Sequence, residues 1–370
     1  MPRISASSLP AAKLARSAAN PGVAVGDVVG GKYRVDGELA EGGMGIVLVA
    51  THLELDCPVA LKLIRPEHLA NEAVVERLLS EARIAASLHS KHVNRILDVG
   101  RTASGVPYLV LEYMAGSDLY SYLQRRGQLP VTEAVDYVLQ VCEALAEAHA
   151  IGIVHRDLKP ENVFLSEEAD GGFTVKVLDF GISKAPRRRG LRTVTSSPFA
   201  IIGSPTYMSP EQVRGMEVDN RADIWALGAL LHELCTGDAL FEAPSMARTF
   251  VKITDEGYFP ASYGKSSGAT LLHQVVCRCL RRNRDERYRD VVELARELGP
   301  LGTDGTQAAR VAKVATASRA RVIAATGQEA PDTTTTPLAI TRAELEPAQS
   351  VRSPWRWTLI GIAAFVPLAL

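Results

Sequence analysis

The sequence has no excess of either charge, no paired-cysteine motif and no hydrophobic run at its start. Its 370 residues carry 41 Lys and Arg against 42 Asp and Glu, so no global field favours nucleic acid as a partner. The five cysteines include no CxxC pair, which argues against a disulfide framework and a zinc site. Without a secretory signal, the globular part of the chain is predicted to be cytoplasmic.

The flanks of the chain differ in composition from its middle. Residues 1–28 are rich in Ala, Ser, Pro and Gly and contain no acid before Asp27, so we predict a disordered leader. Residues 299–354 are rich in Ala, Thr and Pro without steady periodicity, so we predict a linker.

The last segment, residues 355–370, is apolar from Thr358 onward. Roughly 13 residues in a helix reach about 20 Å, which is less than the roughly 30 Å hydrocarbon core of a bilayer. Three interpretations stay open: a truncated membrane span, a short anchor, or a tail that docks on protein. Nearby arginines and tryptophans favour an anchor to the inner or plasma membrane, and these are Arg352, Trp355, Arg356 and Trp357.

Between the flanks, the pattern changes from strands to helices. From Tyr33 to Val110 it favours strands with one helix between them, whose apolar stripe is Val75, Leu78, Leu79, Ala82 and Ala86. A long amphipathic helix then carries a stripe that ends at His149, which we predict to be a core or helix-end histidine. Two short strands and further helices follow, up to a stop at Gly299 and Pro300.

The stretch "ELAEGGMGIVLVA", from Glu38 to Ala50, places glycines between two strand-like segments. A dinucleotide-binding fingerprint would require a helix after the glycines, and none is predicted here. An earlier stretch, Gly26 to Tyr33, has the glycine and lysine spacing of a P-loop. That motif needs Ser or Thr after the lysine, but Tyr33 follows Lys32, so a P-loop is also excluded. The remaining interpretation is a glycine loop that joins antiparallel strands and covers phosphates with its backbone N–H groups.

Further motifs follow this loop in a fixed order. They are "VALK" ending at Lys62, Glu81 on the predicted helix, "HRDLKPEN" with Asp157 and Asn162, "DFG" starting at Asp179, and "SPE". In this order they resemble the protein kinase family over roughly Tyr33 to Leu298. The segments "GGMG", "YLVLEYM", "GIVHRDLKPENVFL" and "YMSPEQ" are most similar to bacterial, eukaryotic-like serine/threonine protein kinases.

The resemblance implies an α+β, bilobal protein kinase fold. The kinase domain is expected at residues 29–298, with a small β-rich N-lobe of about 33–112 and a larger, mostly helical C-lobe of about 115–298. It also implies ATP as the phosphate donor and Mg²⁺, or alternatively Mn²⁺, as the metal.

Catalytic roles follow from the same resemblance. Asp157 would accept the proton of the attacking hydroxyl or orient that hydroxyl, and Lys159 would offset charge at the γ-phosphate. Lys62 would bind the α- and β-phosphates while Glu81 holds it extended. Asn162 and Asp179 would bind the metal, because carboxylate and amide oxygens suit Mg²⁺.

The resemblance also implies a nucleotide-binding surface on the glycine loop, the strands of the N-lobe and the inter-lobe connection. Ala40 stands at the first glycine position of the loop, which is a mild departure because no charged group is lost. The residues expected to contact the nucleotide are Leu39, Ala40, Gly42, Gly43, Gly45, Val47, Ala60, Lys62, Leu111, Glu112, Met114 and Phe164.

Expected partners are ATP and proteins with Ser or Thr acceptors. Lys159 favours these acceptors, because tyrosine kinases carry an alanine-containing pattern there. Arg156 directly precedes Asp157, an arrangement that indicates activation by a phosphate in the segment between Asp179 and Glu211, called the activation segment. The expected autophosphorylation sites are Thr193, Thr195, Ser196 and Ser197, of which Thr195 and Ser196 are preferred. Dimerisation is one expected route to this autophosphorylation. Asp223 is expected to brace the catalytic loop, and Arg287 to pair with Glu211. The alternative function is a pseudokinase scaffold, although Lys62, Asp157, Asn162 and Asp179 are all retained.

Overall fold

The computed structural model describes residues 23–41, 45–65, 68–69, 71–180, 205–255, 257–260, 262–264 and 266–326. All of these lie in one compact unit of the chain. Residues 1–22 of the predicted leader, the predicted phosphorylation sites and the hydrophobic segment 355–370 lie outside the described residues. No described helix is both long and apolar enough to cross a membrane.

The N-terminal part is an antiparallel sheet built from alternating buried and exposed residues. Its strands are β1 (Val28–Val29), β2 (Tyr33–Glu41), β3 (Gly45–His52), β4 (Cys57–Ile64), β5 (Ile96–Arg101) and β6 (Pro107–Glu112). They are ordered β1-β2-β3-β4-β6-β5. The predicted glycine loop therefore does join two antiparallel strands, β2 and β3.

One helix, α1 (Glu72–Ser87), lies against this sheet. Leu78 and Ala82 are one turn apart on it, and they pack with Ile64 of β4 and Leu109 of β6. This contact fixes the face of α1 that carries Glu81.

The C-terminal part is mostly helical. It consists of α2 (Leu119–Arg126), α3 (Val131–Ala150), α4 (Pro210–Val213), α5 (Arg221–Thr236), α6 (Met246–Thr254), α7 (Ser267–Cys279), α8 (Val291–Leu298) and α9 (Gln307–Thr326). A small sheet orders β7 (Gly116–Asp118), β8 (Val163–Glu167) and β9 (Phe173–Val177) side by side. One hydrophobic core runs through α3, α5, α7 and α8, with Trp225 fully buried in it. The two parts together form the bilobal α+β architecture expected from the sequence.

The linker predicted over residues 299–354 is not a linker at residues 307–326, which form the packed helix α9. Val311, Ala315 and Ser318 follow one another at four- and three-residue steps, and all are buried. Two of these three residues are small or polar, so the buried face of the helix gives only a weak apolar pattern in the sequence. The helix is stabilised by packing on α3, a contact that local sequence does not reveal.

The boundary of the predicted leader also differs from the structure. The Gly26 N–H donates to the Val35 carbonyl at 2.8 Å, and the Val35 N–H donates to the Asp27 carbonyl at 2.9 Å. Residues just before β1 are thus paired with β2, and ordered structure begins earlier than the composition indicates.

Candidate active site

Lys62 lies at the centre of the site and contacts two carboxylates. Its Nζ atom is 2.7 Å from Glu81 Oε1 and 2.7 Å from Asp179 Oδ1. β4 supplies the lysine, α1 supplies Glu81, and the segment after β9 supplies Asp179. The predicted pairing of Lys62 with Glu81 is confirmed, and one ammonium joins groups from both lobes.

The charges of this cluster are strongly coupled. Although burial disfavours the ammonium, Asp179 and Glu81 raise the pKa of Lys62 above its usual value. Burial also opposes the ionised form of Asp179, but Lys62 holds the pKa of that carboxyl below its usual value. Burial and the nearby Asp179 raise the pKa of Glu81. Two carboxylates share one ammonium here, and their pKa values are shifted in opposite directions as a result.

The loop between α3 and β8 brings three predicted catalytic residues together. Asn162 Nδ2 donates to the Asp157 carbonyl at 2.7 Å. Lys159 Nζ lies 3.8 Å from Asp157 Oδ2, and the two side chains are 18% and 27% exposed. A carboxylate and an ammonium are therefore adjacent and accessible on one loop.

Asp223, at the start of α5, holds this loop in place. It is fully buried, and its carboxylate accepts the backbone N–H groups of His155 and Arg156, each at 2.9 Å. His149 Nε2 lies 2.8 Å from the same carboxylate, which gives the predicted core histidine its partner. Burial alone would raise the pKa of Asp223, but the hydrogen bond from His149 keeps it below its usual value.

The backbone of the site adopts two uncommon conformations. Arg156 has φ of 65° and Asp179 has φ of 45°, in the left-handed region that residues other than glycine rarely occupy. Asp223 fixes the first of these residues. The second is flanked by a bond from the Leu178 N–H to the Asn162 carbonyl at 2.9 Å. Such strain persists only where the surroundings determine it, and it is concentrated at functional sites.

His155 links the catalytic loop to the segment that carries Asp179. Its Nε2 atom lies 2.9 Å from the Leu178 carbonyl oxygen, and its ring lies 4.9 Å from the ring of Phe180. The sequence motif contains His155, but sequence reasoning assigned it no contact. The structure shows that it joins Asp157 and Asp179 through their neighbours.

The residues predicted to line the nucleotide surface lie on adjacent strands where the structure describes them. Across the sheet, Ala40 is paired with Val47, and Val47 is paired in turn with Lys62. Ala60 is paired with Leu111 on β6. Leu39 and Gly45 lie at the glycine-loop ends of β2 and β3, Met114 follows β6, and Phe164 lies on β8. Gly42 and Gly43 lie outside the described residues.

Glu112, predicted as a backbone contact for the adenine base, has a further contact at the connection between the lobes. Its Oε1 atom accepts from Lys176 Nζ at 2.7 Å and from the Arg95 N–H at 2.9 Å. Lys176 belongs to β9 and was missed in the sequence, where no motif marks it. This ion pair ties β6 to β9.

The remaining structural ion pair predicted from sequence is also present. Arg287 donates two hydrogen bonds to the Glu211 carboxylate, both of 2.8 Å, and both side chains are buried. Gln212, next to Glu211, donates from Nε2 to the Arg156 carbonyl at 2.7 Å. Helix α4 is thereby attached to the catalytic loop.

The residues at the cleft fit a hard divalent cation. Asn162 uses its amide nitrogen to bond the Asp157 carbonyl, so its amide oxygen is the atom suited to a metal. Asp179 adds a carboxylate oxygen, which is a ligand type that a hard cation prefers. In the described part of the chain no cluster of three or more His, Cys, Asp or Glu side chains could hold a metal. A cation here would therefore depend on few protein ligands together with phosphate oxygens, as is usual for Mg²⁺.

Comparisons with known proteins agree with this geometry. The family model described as "Protein kinase domain" matches residues 33–295. Serine/threonine-protein kinase pkn3 of Myxococcus xanthus is 40% identical over 221 residues, which cover 60% of this chain and 40% of that protein.

Two further relatives carry the name serine/threonine-protein kinase PknB. The protein of Mycolicibacterium smegmatis is 32% identical over 343 residues, covering 92% of this chain and 53% of its own length. The protein of Mycobacterium leprae is 33% identical over 270 residues, covering 72% of this chain and 42% of its own length. The chain thus spans about two fifths to one half of the length of these relatives.

Proposed function

We propose that this chain, which belongs to the protein kinase family, transfers the γ-phosphate of ATP to serine and threonine hydroxyls of proteins. The observation that carries the proposal is the position of Lys62 Nζ, 2.7 Å from both Glu81 and Asp179. This contact assembles groups from both lobes beside the loop that carries Asp157. The printed names of the relatives, all serine/threonine-protein kinases, support the choice of acceptor.

In the proposed reaction, the chain acts chiefly by placing charges. Lys62, held by Glu81, binds the α- and β-phosphates. Asp157 orients the acceptor hydroxyl and takes its proton, while Lys159 offsets the charge of the γ-phosphoryl group during transfer.

Asn162 and Asp179 would hold the metal, for which we propose Mg²⁺, with Mn²⁺ as the alternative. When bound, the cation neutralises phosphate charge. Asp179 is oriented for this by its backbone conformation and by the contacts of Leu178 and Lys62.

The remaining predicted contacts would bind the nucleotide. Val47 and Ala60 would cover the adenine from β3 and β4, while Leu111, Glu112 and Met114 would line the inter-lobe connection, and Phe164 would pack below the base. Leu39, Ala40 and the glycines of the loop would close over the phosphates.

The test is phosphate transfer by the full chain. The chain is incubated with labelled ATP, Mg²⁺ and a generic protein acceptor, and phosphoamino acids are then identified. Asp157→Asn should lower transfer by at least about 100-fold, because the proton acceptor is lost. Asp170→Asn, an exposed aspartate in the turn after β8, is the matched control and should behave as the unaltered chain. Equal label with Asp157→Asn, or label on tyrosine alone, would contradict the proposal.

The pseudokinase alternative makes a different prediction. A scaffold would bind ATP, detected as a rise in melting temperature, without transferring phosphate to any acceptor. The complete set of Lys62, Asp157, Asn162 and Asp179 favours catalysis over this alternative.

We further propose that phosphorylation within residues 193–197 activates the enzyme. Arg156 supports this, because its Nε atom is buried and has no hydrogen-bond partner among the described residues. A phosphate group could supply that partner. Mass spectrometry after incubation with ATP tests the proposal, and full activity without phosphate in this segment would exclude it.

Membrane anchoring through residues 355–370 and dimerisation for autophosphorylation stay proposals that rest on sequence. Fractionation of cells that express the chain with and without residues 355–370 would test the first. A concentration-dependent rate of autophosphorylation would support the second, because that rate is constant when the reaction occurs within one molecule.

A further inference from the structure

Helix α9 follows the part of the chain that matches the family model, which ends at residue 295. It nevertheless packs on the lobe, with Val311 fully buried, Ala315 6% exposed and Ser318 2% exposed. The segment leading into it is attached as well, because the Thr303 N–H donates to Asp136 of α3 at 2.9 Å. α9 is therefore part of the folded unit rather than an appended tail.

Glu147 of α3 connects α9 to the segment that follows α1. Its side chain is 3% exposed, and its Oε2 atom accepts the backbone N–H groups of His89 at 2.9 Å and Ser90 at 2.6 Å. Its other oxygen accepts from Arg321 Nη2 of α9 at 2.9 Å. One buried carboxylate thus contacts both elements at once.

Glu143, one turn earlier on α3, also lies between the segment after α1 and α9, at longer distances. Its Oε2 atom lies 3.7 Å from His92 Nε2 on one side and 4.0 Å from Arg310 Nε of α9 on the other. The neighbouring His92 side chain lowers the pKa of Glu143, so this carboxyl is ionised at neutral pH. We call Glu143 and Glu147 the acidic pair of α3.

The segment bound by the acidic pair controls the end of α1. α1 ends at Ser87, and the next residue, Leu88, is buried in the core of the C-terminal lobe. Glu81 lies less than two turns before that end. A displacement of residues 88–92 would therefore move the carboxylate that holds Lys62.

We propose that α9 is a positioning element for catalysis, in which Arg310 and Arg321 hold the acidic pair of α3 so that it fixes the end of α1 and, through it, Glu81. This inference rests on the proposed kinase function. Its physical basis is that a buried carboxylate is costly unless it is paired. When Arg321 is removed, Glu147 loses the guanidinium that binds its Oε1 atom, and the side chain that accepts the His89 and Ser90 N–H groups is held less firmly. Residues 89–90 and the end of α1 then become more mobile.

Arg321→Ala in the full chain tests the proposal. We expect kcat to fall by about 3- to 10-fold, a range typical of coupling through positioning residues. The KM for the protein acceptor should not change, because the proposed displacement affects Glu81 and Lys62, to which we assign no contact with the acceptor. Arg321→Lys keeps the charge and should restore part of the lost rate. Arg319→Ala removes an exposed arginine from the same helix and is the matched control.

Hydrogen exchange provides a second measurement that does not depend on activity. The amides of His89 and Ser90 should exchange faster in Arg321→Ala than in Arg319→Ala, at a temperature where both variants are folded. If the two variants share the same kcat and the same exchange, α9 does not position α1 and the proposal is wrong. If exchange increases while the unaltered chain transfers no phosphate, the coupling is correct and the proposed kinase function is wrong.

Discussion

At the scale of single residues, the site depends on Lys62 as the shared partner of two carboxylates. Without its ammonium, Glu81 and Asp179 would lose the cation that both of them contact. The phosphates of ATP would also lose their cationic contact in the cleft. The lysine therefore assembles the site, and under the proposed function it also binds the nucleotide.

Lys62→Met should reduce phosphate transfer by about 100-fold or more, because a preorganised charge at the reacting group is lost. The fold should persist, since methionine fills a similar volume on β4. Transfer of labelled phosphate and the melting temperature measure the two effects. Lys32→Met, which removes a half-exposed lysine paired with Asp98 at 3.9 Å, should leave transfer unchanged. Substantial transfer by Lys62→Met would contradict the proposed role.

Asp223 is the second residue with a strong expected effect. An asparagine at this position has only one oxygen to replace the two that accept from His155, Arg156 and His149. Asp223→Asn should therefore lower the free energy of unfolding by about 2–4 kcal/mol, measured by urea denaturation.

The Asp223 carboxyl should also make the free energy of unfolding depend on pH. Its pKa in the folded protein lies below the ordinary value of 3.8, so its contribution to stability is complete above about pH 4 to 5 and is lost as pH falls through the folded-state pKa. The stability difference between the unaltered chain and Asp223→Asn should be constant near neutral pH and should shrink below about pH 4. A difference that grows on acidification would show that the sign of this assignment is wrong.

At the scale of elements, the buried pair of Glu211 and Arg287 attaches α4 to the segment before α8. Removing one partner leaves the other charge buried and unpaired. Glu211→Gln should therefore destabilise the fold by about 3 kcal/mol, measured by chemical denaturation.

A double-mutant cycle measures the interaction energy between Glu211 and Arg287 apart from their other contacts. Combined with Arg287→Met, Glu211→Gln should cost less than the sum of the two single changes, since no lone charge remains. Strict additivity would mean that the pair is not coupled.

The elements also show which parts of the fold the sequence reveals. Helices and strands with a strong apolar stripe, such as α3 and β4, were predicted because their periodicity is local. α9 was missed because its buried face consists largely of alanine and serine. The contacts of Lys176 and Glu147 could not be predicted either, because each depends on a partner that is distant in sequence and has no motif.

At the scale of the whole molecule, the site is the meeting point of two lobes, which are proposed to bind one ligand together. A ligand that binds only the folded state stabilises it, by about 2.7 kcal/mol at 100 times its dissociation constant. ATP with Mg²⁺ should therefore raise the melting temperature of the unaltered chain. Asp157→Asn should keep this rise while losing transfer, because Asp157 is proposed to act on the acceptor hydroxyl. Loss of the rise in Asp157→Asn would place this residue in nucleotide binding instead.

The order of motifs along the chain predicted this meeting point correctly. Lys62, Glu81 and Asp179 were assigned to separate elements that the structure brings together within hydrogen-bond distance. The motifs indicated the bracing role of Asp223, but they did not specify the contacts of His155 and Glu147, since these side chains act on backbone groups of distant segments.

The position of α9 beyond the boundary of the family match has a practical consequence for protein production. A recombinant fragment designed to stop at residue 295 would lack Arg310 and Arg321 and would expose the surface of α3 that buries Val311. Such a fragment would be expected to precipitate more readily and to show lower specific activity than the 370-residue chain. A fragment extended to residue 326 would keep α9 and its packing on α3. A low activity measured only with the shorter fragment would then be due to where the fragment ends and not to the catalytic residues.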